Sequence, residues 1–88
     1  MKQLDELRVE IDAIDKQIFE LFCQRIEVAQ DVAAYKRGND LPVLDASRED
    51  EKIAAARDLV PEELSDYAAK LMSLLMESSR SVQHKILD

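Results

Sequence analysis

From Leu4 onward, apolar side chains recur at alternating steps of three and four: Leu7, Ile11, Ile14, Ile18, Leu21, then Val28, Val32 and Tyr35, with Arg25 in the slot between Leu21 and Val28. A mean spacing of 3.5 residues keeps one stripe on one side of an α-helix, so this is a heptad seam. No Gly or Pro interrupts it before Gly38, and Lys36 and Arg37 put cations in the last turn, where the helix dipole favours them. The pattern predicts one helix over about residues 4–37, with Gly38 as the C′ residue that ends it. At 1.5 Å per residue that helix is about 50 Å long, whereas a compact chain of this length is about 30 Å across. One chain cannot cover such a seam along its whole length. A second copy related by a two-fold axis is the economical cover, so the pattern predicts a homodimer.

The rest of the chain offers two shorter helices. Gly38-Asn39-Asp40-Leu41-Pro42-Val43 reads as a loop, and Asp45 as the N-cap of a second helix over about 46–59. Pro61, followed by Glu62 and Glu63, is the first-turn signature of a third helix over about 61–86, which carries Leu64, Tyr67, Ala68, Leu71, Leu74, Leu75 and Val82. One glycine, two prolines, no tryptophan and 5% aromatics leave a β-sheet without its turns and its strand formers. The expectation is a single all-α domain, 1–88, of three helices per chain, built into an intertwined helical homodimer.

The net charge of −7 repels phosphate backbones and anionic membrane surfaces, so neither nucleic acid nor membrane is an expected partner. No apolar run approaches the ~20 residues of a membrane span, and Met1-Lys2-Gln3-Leu4-Asp5 does not open a signal peptide. The single cysteine, Cys23, cannot form an intrachain disulfide and suits a reducing cytoplasm, and no Cys/His cluster surrounds the single histidine, His84. There is no Ser/His/Asp set, no Gly-rich phosphate loop and no metal-ligand spacing. Neither a cofactor nor a metal is expected, and the chemistry left is positioning and electrostatics.

Several residues resist a purely structural reading. Arg25 stands on the seam where Leu or Ile belongs, and a buried guanidinium needs an anion. A carboxylate on another helix would serve, and so would a ligand. Arg8 and Lys36 share the heptad position beside the seam and read equally well as solvated flank charge. Glu49, four residues before Ile53, puts a carboxylate on the inward stripe of the second helix, where Arg48 or Lys52 could pair with it. Asp45 lies one turn earlier. On the third helix the stripe Tyr67, Leu71, Leu75 continues at spacing four into Ser79 and Gln83, which marks either a wetter helix end or a polar pocket wall. Together, Arg8, Arg25, Lys36 and Arg48 near apolar faces, with Ser79 and Gln83 as neutral donors, make a site for a small polyanion.

These residues resemble the all-helical chorismate mutases. The likeness covers nearly the whole chain: LRVEIDAID and LFCQRIEVAQDVAAYK in the first helix, PVLDASRED in the second and LMESSRSVQ in the third. It implies isomerisation of chorismate to prephenate, a Claisen rearrangement on the route to phenylalanine and tyrosine, without a cofactor. It further implies that Arg25 and Arg8 grip the two substrate carboxylates, with Arg8 supplied by the other subunit. Lys36 would reach a carboxylate and the ether oxygen, and Gln83 would donate to that oxygen. Asp45 and Glu49 would lie near the ring hydroxyl, and Arg48 and Ser79 would complete the pocket. Ser78 and Arg80 flank that motif without belonging to it. The competing readings are an isochorismate pyruvate lyase of the same fold, against which Glu49 argues, and a helical dimerisation module without activity, which leaves Arg25 without a purpose.

Overall fold

The computed structural model describes residues 1–87, and these form three α-helices, α1 (Leu4–Gly38), α2 (Ala46–Asp58) and α3 (Ser65–Leu87), with a 3-10 turn at Glu62–Leu64. Among the described residues there is no strand, and no helix is long and apolar enough to cross a membrane. Asp5 and Glu6 in the first turn of α1 and Lys36 and Arg37 in its last turn complement the helix dipole at both ends.

Two helix ends differ from the sequence expectation. Gly38 is still helical, and the residue in the left-handed region is Asp40, with φ of 54°. Around it Leu41 N–H donates to the Lys36 carbonyl at 2.9 Å and Asp40 N–H to the Arg37 carbonyl at 3.5 Å. This is a Schellman closure with Asp40 in the place usually given to glycine, and the short polar Asp side chain tolerates that backbone. The third helix starts at Ser65 rather than in the 61–64 turn. Pro61 is extended (φ −57°, ψ 152°), and its carbonyl accepts from Leu64 N–H at 2.9 Å, a tight i to i+3 turn that precedes the α-helix. The second helix keeps the predicted cap, Asp45 accepting from Arg48 N–H at 3.1 Å.

Helix α3 lies between the other two and packs on both. It runs antiparallel to α2, because Arg80 meets Glu49 at one end and Asp66 meets Arg57 at the other. Arg57 donates to Asp66 at 2.8 Å, and that hydrogen bond and charge hold the Asp66 carboxyl below its ordinary 3.8. The result is a slab of 56 × 25 × 14 Å, one helix layer thick. Its radius of gyration is 16.4 Å, against about 12 Å for a compact chain of this length.

A single layer has little interior. The buried apolar residues are Ala29, Ala33, Val43, Ala56, Ala69 and Met76, and no large side chain is fully buried among the described residues. On α1 the face against α3 is the stripe Phe22, Arg25, Ile26, Ala29, Ala33 and Lys36, whose alanines let the two helices approach closely. The heptad seam lies beside this stripe, shares Arg25 with it, and is largely bare. Leu7, Ile11, Ile14, Ile18, Leu21, Val28 and Val32 are all exposed, and nothing in residues 1–21 is buried.

Candidate functional site

Where the C-terminal half of α1, the start of α2 and the end of α3 converge, they enclose an open cleft of about 390 Å³. Its walls carry Arg25, Lys36, Asp45, Arg48, Glu49, Ser79 and Gln83, together with Lys52 and Arg80, over an apolar floor of Val28, Ala29, Val32, Val43 and Met76. Five cationic side chains thus face two carboxylates inside a protein whose net charge is −7. An electropositive concavity with low-dielectric walls concentrates anions against the field of the whole molecule.

Arg25 reaches from α1 to α3, where its Nη1 donates to the Leu75 carbonyl at 3.1 Å and to Ser79 Oγ. Ser79 Oγ in turn donates to the Leu75 carbonyl at 3.0 Å. These partners are neutral. No carboxylate pairs with Arg25 among the described residues, so the helix-to-helix salt bridge that the sequence allowed is not formed and the half-buried charge keeps its capacity for an external anion. Lys36, the last turn of α1, donates to the Val43 carbonyl at 2.7 Å, which holds the ammonium at the cleft and ties the loop to the helix.

Glu49 pairs with Arg80 across the α2–α3 contact rather than with Arg48 or Lys52 on its own helix. Ser79 and Gln83 are buried, 8% and 7% exposed, while Tyr67 and Leu71 earlier on the same stripe are 70% and 56% exposed. The polar end of that stripe is therefore its inner end. Gln83 Oε1 is buried and has no hydrogen-bond partner among the described residues. No group of His, Cys, Asp and Glu among them is placed to hold a metal ion.

Of the eight residues singled out in the sequence, seven meet in this cleft, and Arg8 does not. It is exposed on the bare half of α1, about 25 Å along the helix from Arg25 at 1.5 Å per residue, beyond the reach of its own side chain. Sequence reasoning missed Lys52 and Arg80 as cleft residues. Each lies one helical turn from a residue that was singled out, Lys52 three after Glu49 and Arg80 three before Gln83, but that spacing alone does not tell an inward charge from a solvated flank charge.

Fold and cleft together define an all-helical domain with a cationic, partly apolar pocket. The profile of the family described as "Chorismate mutase type II" matches residues 7–84, and the chain belongs to that family, which makes it an isomerase. It is 31% identical over 90 residues to a chorismate mutase of Methanocaldococcus jannaschii, with 100% of this chain and 91% of that protein covered. It is also 35% identical over 57 residues to the T-protein of Haemophilus influenzae, a match spanning 65% of this chain and 15% of that protein. No solved structure matches the chain.

Proposed function

We propose that the cleft is the active site for isomerisation of chorismate to prephenate, and that it works by clamping the substrate in a folded conformer. The observation that carries this reading is Arg25, a half-buried cation held in place by a carbonyl and a hydroxyl and free to take a carboxylate, with Lys36 and Gln83 in the same cleft. Arg25 takes one substrate carboxylate, and a second cation takes the other. Holding both brings the breaking C–O and the forming C–C termini together, a proximity effect.

The rearrangement breaks one ether bond and makes one C–C bond within a single molecule, so no proton, nucleophile or cofactor is called for. Negative charge grows on the ether oxygen as its bond breaks. Lys36, pinned by Val43, and the Gln83 amide N–H₂ are the donors for it, and they act more strongly in the transition state than in the ground state. A millionfold acceleration needs about 8 kcal/mol, within the range of two carboxylate clamps and two oxygen donors in a sheltered site. Asp45 and Glu49 read the ring hydroxyl, and Arg48 and Ser79 complete the walls.

The second clamp is Arg8 of a second copy of this chain. Support comes from surface. The chain exposes 7079 Å², against about 5,200 Å² for a compact monomer of this mass. The excess is more than twice the roughly 800 Å² that one partner contributes to a standard interface. The exposed seam of α1 supplies apolar area for a partner to cover, and a partner's α1 can carry its Arg8 to the cleft. A cytoplasmic setting suits the single exposed Cys23. The test is incubation of purified protein with chorismate, read as loss of chorismate absorbance with appearance of prephenate. Release of salicylate and pyruvate from isochorismate, with chorismate untouched, would instead establish the lyase, and no turnover of either would leave a binding module.

A further inference from the structure

We infer that Arg80 is a positioning residue of this cleft: its guanidinium neutralises and aims the Glu49 carboxylate so that a dianionic substrate can bind beside it. The inference rests on the cleft being the mutase active site, and on four observations about Arg80.

Arg80 Nη1 donates to Glu49 Oε1 across the α2–α3 contact, joining residues 31 apart in sequence. Both side chains are largely shielded, 31% and 23% exposed, and both line the cleft. Arg80 follows Ser79, which takes Arg25 from α1, and lies one turn before Gln83. A single turn of α3 thus orients a cation from one neighbouring helix and a carboxylate from the other. Finally, among the described residues Asp45 and Glu49 are the carboxylates on the walls, and Glu49 is the one with a cation bound to it.

The physical difficulty is placing a carboxylate where two substrate carboxylates must also enter. Like charges a few ångströms apart in a partly desolvated pocket repel strongly, so a bare Glu49 would oppose binding of the dianion it helps to orient. A guanidinium on one carboxylate oxygen removes the net charge, and the other oxygen remains an acceptor for a hydroxyl. Arg80 also fixes the Glu49 rotamer from outside its own helix, which neither Arg48 nor Lys52 does. The effect belongs to binding in ground state and transition state alike, so it falls on KM rather than on kcat.

The test is a double-mutant cycle with a kinetic readout. Arg80→Met keeps the length of the stem and removes the charge, and it should raise KM for chorismate about tenfold with kcat within about threefold of wild type. In a Glu49→Gln background, where no carboxylate is left to neutralise, the same change should move KM less than about twofold. Arg80→Lys should recover most of the KM loss, and it carries the test if Arg80→Met fails to give a helical far-ultraviolet spectrum. An equal KM penalty in both backgrounds would mean that Arg80 acts on the substrate directly or by packing rather than through Glu49, and would overturn the inference. So would an unchanged KM in Arg80→Met, a loss confined to kcat, or an Arg80→Lys variant no better than Arg80→Met. Lys36→Ala keeps the two claims apart: if it too leaves turnover intact, the assignment of the cleft fails, whereas a dead Lys36→Ala beside an unaffected Arg80→Met sinks the role of Arg80 alone.

Discussion

Lys36 is held by a backbone carbonyl and needed, on the proposed mechanism, by an oxygen that becomes anionic only as the reaction proceeds. The tether to Val43 at 2.7 Å limits the rotamers the ammonium must sample, so little ordering remains to be done when substrate arrives. Lys36→Ala should therefore lower kcat by a hundredfold or more while leaving helix content and melting unchanged, since the lost contact is with a loop carbonyl that water can serve. A turnover within a few fold of wild type would remove Lys36 from the mechanism. The same residues measure what a sequence can disclose at this scale. Arg25 was legible because it breaks a hydrophobic rule at a position the rule fixes. Ser79 and Gln83 were legible because a stripe changed character without leaving its face. Lys52 and Arg80 broke no rule, since charges on helix flanks are ordinary, and only the packing of α2 on α3 turns them inward.

At the scale of elements, Asp45 serves two ends at once, accepting from Arg48 N–H as the cap of α2 while its carboxylate borders the cleft. Two substitutions separate the roles. Asp45→Ala should cost about 1 kcal/mol in urea unfolding, and Asp45→Ser, which keeps a capping oxygen, should recover most of it. Any change in kcat/KM should be shared by both variants, because both lose the carboxylate. A stability equal in the two would mean that the cap contributes nothing. The cap itself was readable from residue type, as were the three helices and their order. Helix ends were readable only to within a few residues. Gly38 invited the left-handed position that Asp40 occupies, and Pro61 marked a 3-10 turn ahead of α3 rather than α3 itself. More instructive is the face of α1. The heptad seam announced the apolar stripe most open to a partner, while the stripe that packs within the chain is built on Ala29 and Ala33, whose small size leaves no periodic signal strong enough to compete.

For the whole molecule, a slab 14 Å thick with an exposed seam leaves apolar surface for the proposed second copy to cover, and the proposed exchange of Arg8 would make that pairing visible in activity. Arg8→Ala and Lys36→Ala should each be nearly inactive as homodimers. Refolded together in equal amounts with random pairing, half of the dimers are mixed. Each mixed dimer has one site with Lys36 intact and the partner's Arg8 intact, and one site with both lesions. Recovery of about one quarter of wild-type activity is expected if sites act independently. A mixture no more active than its components, despite proven subunit exchange, would show that Arg8 serves its own chain or no site.

The same thinness governs how the molecule comes into being. Among its described residues a lone chain buries only four alanines, Val43 and Met76 as its apolar core, so in the proposed dimer collapse and pairing proceed as one event and the encounter of two chains sets the pace. The half-time for regaining activity after dilution from urea should then shorten in inverse proportion to chain concentration, so that a cell making few copies waits longer for each working pair.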